Sequence, residues 1–198
     1  MPGHFEPIPG GGAAVALDEV EISIIRSLAV QLLELIGPGP GGEPSDDPLA
    51  ELFAEGPSEP PADPVMRRLL PDAYGGPGSE AADEDELRAY SSEFRRFTEN
   101  DLRAKKRDDA LVVIRSLDAA MSEGEGETVL KLTVEESRHW LGALNDLRLA
   151  IGTRLEVADE DDAELLYRLP DSDPRKPMVM AYLWLGGLQE TLVGTLMN

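Results

Sequence analysis

LDEVEISIIRSLAVQLLELIG, Leu17 to Gly37, decides the fold class. Val20, Ile22, Ile24, Ile25, Leu28, Val30, Leu32, Leu33, Leu35 and Ile36 leave a helix of this length almost no polar side. Such a helix is expected to be enclosed by other elements at the centre of a core. Asp18 stands where it caps the first turn, Glu21 follows in capping-box spacing, and Leu17 and Ile22 staple the entry. Gly37-Pro38 ends the helix.

Working outward, Phe5 to Ile8 and Ala13 to Leu17 flank Gly10-Gly11-Gly12 and read as a hairpin. After the helix, residues 37–79 are dense in Gly and Pro with scattered acidic residues, which reads as a partly disordered insert in a single domain spanning 1–198. Within it, Asp47-Pro48 and Asp63-Pro64 each set a capping carboxylate before a proline, predicting short helices near 48–55 and 64–70. Met66, Leu69, Leu70 and Tyr74 are placed to pin the second onto the core. From Asp83 the spacing of Leu87, Tyr90, Phe94 and Phe97 predicts an amphipathic helix with those residues inward. Thr98 and Asp101 predict a break there, and a restart running to Met121 with Leu102, Ala110, Val113, Ile114 and Leu117 on its core side. Gly124 and Gly126 close it.

Thr128 to Leu132 reads as a strand, and Thr133 with Glu136 repeats the capping-box spacing before a helix ending at Gly152. At an offset of 115 residues Leu17, Glu21, Ile36 and Gly37 meet Leu132, Glu136, Ile151 and Gly152. If the two units are a repeat, their strands pair and their helices pack together. A short helix near Ala163 to Leu169 and a last helix from Met178 follow. The stripe Met178, Ala181, Tyr182, Leu185, Leu188, Leu192 and Leu196 makes the last helix a core element or a subunit interface.

A formal charge of -21 argues against a broad nucleic-acid-binding face, because such faces draw their affinity from neutralising phosphates. With no cysteine there is no disulfide, thiolate metal site or thiol catalysis. The N-terminus MPGHFEPIPGGG lacks the basic and apolar regions of a secretory signal, so a cytoplasmic location is expected. The longest unbroken apolar run, Met178 to Leu188, falls well short of the roughly 20 residues that span a bilayer. His4 and His139 are far apart, and there is no Walker loop, dinucleotide fingerprint or serine elbow, so no catalytic residue, metal or cofactor is expected. The acidic run 159–162 lacks the glycine and alternation of a calcium loop and reads as solvated.

The most informative segment is EFRRFTENDLRAKKRDD, where Arg95, Arg96, Arg103, Lys105, Lys106 and Arg107 supply six of the chain's 18 positive charges. Glu99–Arg103 and Asp101–Lys105 are favourable four-residue helix pairs, so a solvated, salt-bridged face explains the pattern. The alternative is a partner-binding patch, since this much positive charge on an acidic molecule attracts an acidic partner. Arg96, Arg103 and Arg107, spaced seven and four apart, then lie near one face.

That segment, with RRLLPDAY at 67–74, HWLGALNDLRLAIGTRLEV at 139–157 and YLWLGGLQETLVGTLM at 182–197, resembles an actinobacterial family catalogued as a domain of unknown function. Members look like companions of the Clp protease adaptor and of a sulfur-carrier route to cysteine, and some are described as oxidative-stress transcriptional regulators. The resemblance implies action through the transcription machinery by contact with a sigma factor. It departs in one respect: redox sensing in such regulators is attributed to paired cysteines, and a chain without thiols cannot sense oxidant by a disulfide. Direct DNA contact rests on analogy alone, because the segment before Thr98 shows no glycine turn between two helices.

The expectation is therefore a mainly α fold with a minor two- or three-stranded β element. The expected function is non-enzymatic regulation through protein contacts, in transcription of oxidative-stress or cysteine-synthesis genes. The rival from another class is an enzyme or accessory subunit in sulfur metabolism or protein turnover.

Overall fold

Two strand–helix units face each other across an antiparallel ladder. The computed structural model describes residues 3–37, 55–75, 84–122, 128–158 and 160–197. β1 (Glu6–Pro7) and β2 (Ala13–Leu17) form the expected hairpin, and β2 pairs antiparallel with β3 (Thr128–Leu132) to give the order β1-β2-β3. Gly12 has a positive φ and lies against the next strand, where a Cβ would sit 2.2 Å from the Leu132 carbonyl oxygen. Only glycine fits. Around the sheet the described helices are α1 (Glu19–Ile36), α2 (Pro64–Leu69), α3 (Glu84–Met121), α4 (Val134–Arg154), α5 (Glu160–Tyr167) and α6 (Lys176–Leu196). They hold 68% of the described residues, so the mainly α expectation with a three-stranded sheet holds.

Both capping boxes form. Asp18 Oδ1 accepts the Glu21 amide at 2.8 Å while Glu21 Oε2 accepts the Asp18 amide at 3.0 Å, and Thr133 and Glu136 make the same exchange at the head of α4. The offset of 115 residues matches Val15 to Leu130, which is also its cross-strand partner. A local twofold relation therefore passes between the two units. It lapses at the helix ends. Gly37 caps α1 with a φ of 64°, whereas Gly152, expected to end α4, lies inside a helix that continues to Arg154. At 152 glycine serves a close approach instead, since a Cβ would meet the Tyr182 ring of α6 at 3.2 Å.

The enclosed helix is α4, not α1. α4 packs against α1, α2, α3, α6 and β3, with Trp140 fully buried, its Nε1 donating to Ser116 Oγ at 2.9 Å and its ring edge-on to Phe5. α1 buries one stripe, Ile22, Ile25, Ala29, Leu32 and Ile36, and leaves Val20 and Ile24 exposed. Among the described elements its main neighbours are α3 and α4, with Leu28, Leu33 and Leu35 partly buried beside the stripe.

α2 follows its capping signal: Asp63 Oδ1 accepts the Met66 amide, and Val65, Met66, Leu69 and Leu70 are buried, although Tyr74 is exposed. The expected helix near 48–55, all but its last residue, lies outside the described residues. So do residues 38–54 and 76–79 of the Gly/Pro-rich insert and Gly124 and Gly126.

α3 is continuous, against the expected break at Thr98. It has no Gly or Pro between Glu84 and Met121, and the Thr98 hydroxyl donates back to the Phe94 carbonyl at 2.8 Å instead of capping a new start. α6 buries Val179, Leu185, Leu188 and Leu192, and Thr191 Oγ1 accepts the Phe5 amide, tying the N-terminal segment to it. Among the described residues no helix is long and apolar enough to cross a membrane.

Candidate functional site

The basic segment of α3 faces inward. Arg95 is 4% exposed and Glu99 3%. Arg95 donates to Glu99, to the Leu70 carbonyl at 3.1 Å and to Asp72 at 2.8 Å, which fastens the loop after α2 to α3. Burial alone would lower the Arg95 pKa, but hydrogen bonds and attraction from Asp72 and Glu99 outweigh it and hold the guanidinium above its ordinary value. Arg103 clasps the other Glu99 oxygen at 2.7 and 2.9 Å and donates to the Ile36 carbonyl at 2.8 Å. Arg107 donates to the Gly37 and Leu33 carbonyls. α1 has no basic residue in its last turn, so these two arginines from another helix supply its missing donors and positive charge.

One turn along, a second charged knot joins α3 to α4. Lys106 bonds Asp146 at 2.5 Å, and Asp109 accepts from Lys105 at 2.7 Å and pairs with His139 Nδ1 at 2.8 Å. Asp109 presses so close to α4 that a Cβ at Gly142 would sit 2.4 Å from its Oδ2. Desolvation raises the Asp146 pKa, Lys106 only partly offsets this, and the charge of Asp109 adds to it. His4, by contrast, bonds Glu6 at the surface, and Asp162, from the acidic run, accepts the Ala158 amide ahead of α5.

Of the six basic residues, Arg95, Arg103, Lys106 and Arg107 are committed to partners within the chain. Arg96 bonds Glu55 and Glu93 and lies over the Phe97 ring. Lys105, with a side chain 66% exposed, is the most open to solvent. The Glu99–Arg103 pair forms as its spacing predicts, but buried and not solvated. Lys105 pairs forward with Asp109, not back with Asp101. Asp109 and Asp146 were not singled out from the sequence, and Glu99 was read only as half of a solvated pair. Glu99 and Asp109 stand four residues from bases, a signal that looks the same on a solvated face, whereas Asp146 is 40 residues from Lys106 and offered no local signal.

The aromatic face turns outward. Tyr90 is 53% exposed, Phe94 47% and Phe97 63%, although their spacing placed them in the core. Tyr74 packs beside them, tilted at 6.0 Å from Tyr90 and edge-on at 6.1 Å from Phe94, held by Ser91, whose hydroxyl exchanges hydrogen bonds with the Tyr74 backbone. The inward positions on the same turns are Ser91, Arg95 and Glu99, all buried. The loop and the end of α1 present carbonyls and a carboxylate there, which polar side chains satisfy and aromatic rings cannot.

Residues 3–196 match the model of a domain of unknown function, DUF2017. The chain belongs to this family. DUF2017 relatives include a "Putative oxidative stress regulator AosR" from Mycobacterium leprae, 32% identical over 181 residues, covering 89% of this chain and 79% of the relative. The "Oxidative stress regulator AosR" of Mycobacterium tuberculosis H37Rv is 31% identical over 183 residues, covering 90% of this chain and 79% of its own. No solved structure matches this DUF2017 chain.

Proposed function

We propose that the chain is a non-enzymatic regulatory protein of the cytoplasm that acts through protein contacts in transcription, on genes for oxidative stress or cysteine synthesis. The names of the mycobacterial relatives support the regulatory part. The observation that carries the contact surface is the row Tyr74, Tyr90, Phe94 and Phe97, an exposed aromatic face on a helix whose other side is already engaged. Exposed apolar rows rimmed by charge mark protein interaction sites, with aromatic residues as anchors. The proposed partner is a sigma factor. Lys105 and Arg96 then meet its acidic groups, while Arg95, Arg103, Lys106 and Arg107 act by holding α3 in place. Self-association through α6 belongs to the same reading, supported by the exposed Met178 and Met180.

The test is affinity purification of the tagged chain from its native organism, comparing wild type with Phe94→Ser/Phe97→Ser. Recovery of a sigma factor with wild type, and its loss with a variant of unchanged melting temperature, supports the surface. Equal recovery with both moves the contact elsewhere. Binding that is indifferent to salt argues against a role for Lys105 and Arg96.

A further inference from the structure

A cavity of about 730 Å³ opens between α2, the C-terminal part of α4, α5 and α6. Leu149, Gly152, Tyr182 and Leu183 line it with apolar surface, and its volume lies in the range of small-molecule sites. Among the described lining residues, three guanidinium groups, Arg68, Arg148 and Arg168, share it with one carboxylate, Glu164, which Arg168 already holds at 3.0 Å. Guanidinium groups thus outnumber carboxylates among the described lining residues, on a chain of formal charge -21.

Two of those guanidinium groups have donors to spare. Arg68 is exposed and makes no ion pair among the described residues. Arg148 gives one Nη to Gln189 at 2.6 Å, and its Nε is buried without a hydrogen-bond partner. Its guanidinium is also fixed over the Tyr182 ring at 5.1 Å, so it is positioned before any ligand arrives. That Nε packs against Gly186 of α6, where a Cβ would sit 3.3 Å from it, so the guanidinium is held in place by α6.

We propose that this cavity binds a small amphipathic anion, a single carboxylate, sulfonate or phosphate head on an aromatic or acyl body. The head pairs with Arg68 and Arg148, whose planar forks suit such groups, and the body lies on Leu149, Leu183 and Tyr182. The site is separate from the aromatic face of α3 and stands or falls independently of it.

The probe is 8-anilinonaphthalene-1-sulfonate, titrated into the full chain by fluorescence, with uncharged N-phenyl-1-naphthylamine alongside. Wild type is expected to bind the sulfonate saturably at one site. Arg68→Gln, an exposed change, is expected to weaken it about tenfold, the lower end of what a charged hydrogen bond contributes. The neutral probe should be unaffected by that change. Thr153→Trp, which fills the cavity from its rim, should abolish binding of both probes, and Phe94→Ser/Phe97→Ser should leave both intact. Thermal melts confirm that each variant is folded. Non-saturable binding to wild type, an unchanged sulfonate affinity in folded Arg68→Gln, or an equal loss of the neutral probe would each overturn the proposal. Should Thr153→Trp not fold, Arg68→Gln decides alone.

Discussion

The two halves of α3 obey opposite rules. From Ala110 to Ala120 the helix buries Ala110, Val113, Leu117 and Ala120 and exposes its polar residues in the usual way. From Glu84 to Asp109 it buries Ser91, Arg95, Glu99 and Asp109 and exposes Tyr90, Phe94 and Phe97. The difference lies in what each half meets. The second half packs on apolar side chains of α1 and α4. The first meets the carbonyl end of α1 and the loop after α2, whose polar groups must be matched once water is excluded.

The sharpest way to break this comparison is Glu99→Ala. It leaves Arg95 and Arg103 buried without their shared carboxylate and is expected to cost about 3–5 kcal/mol of stability in urea unfolding. In the other half, Leu117→Ala should cost a comparable amount, about 2–5 kcal/mol, for the different reason of a cavity. A loss below about 1 kcal/mol for Glu99→Ala, within the range of exposed pairs, would return the first half to the status of a solvated face.

Gly142→Ala tests the junction between the halves, where Asp109 presses on α4. The added methyl displaces a carboxylate held by Lys105 and His139, and the expected loss is about 1–3 kcal/mol. A melting temperature equal to wild type would show that Asp109 yields freely.

Asp146 sharpens the same junction through pH. Its native pKa is raised above the ordinary 3.8, chiefly by desolvation. A raised native pKa contributes stability that is complete below the unfolded value and is lost as pH climbs through the native one. Asparagine does not titrate. The stability of wild type relative to Asp146→Asn should therefore be greatest below pH 3.8 and shrink across the window just above it. Urea midpoints of both proteins over that range that run parallel would contradict the raised pKa.

The smallest effect belongs to the aromatic face. Phe94→Ser/Phe97→Ser should change stability by no more than about 0.5 kcal/mol, the ordinary range for surface positions. A loss of several kcal/mol would mean that this face is packed in solution and that the partner surface lies elsewhere.

Local signals in the chain were sufficient for much of the architecture. Asp18 with Glu21, Thr133 with Glu136, and Asp63 before Pro64 each wrote a helix start that the structure uses, because a cap needs only residues three positions apart. The glycine hairpin and the strand at 128–132 were legible for the same reason. What the sequence could not determine was which side of a helix is inside. Apolar content made α1 look central, yet α4 is enclosed because more elements surround it. Spacing made Tyr90, Phe94 and Phe97 look buried, yet the neighbours of α3 at that height offer carbonyls and a carboxylate. Arg95, Arg103 and Arg107 bond residues as far off in sequence as Leu70, Ile36 and Gly37, and only the tertiary arrangement brings those acceptors to them. A periodic pattern fixes that a helix has two faces. The polarity of what it packs against decides which one turns inward.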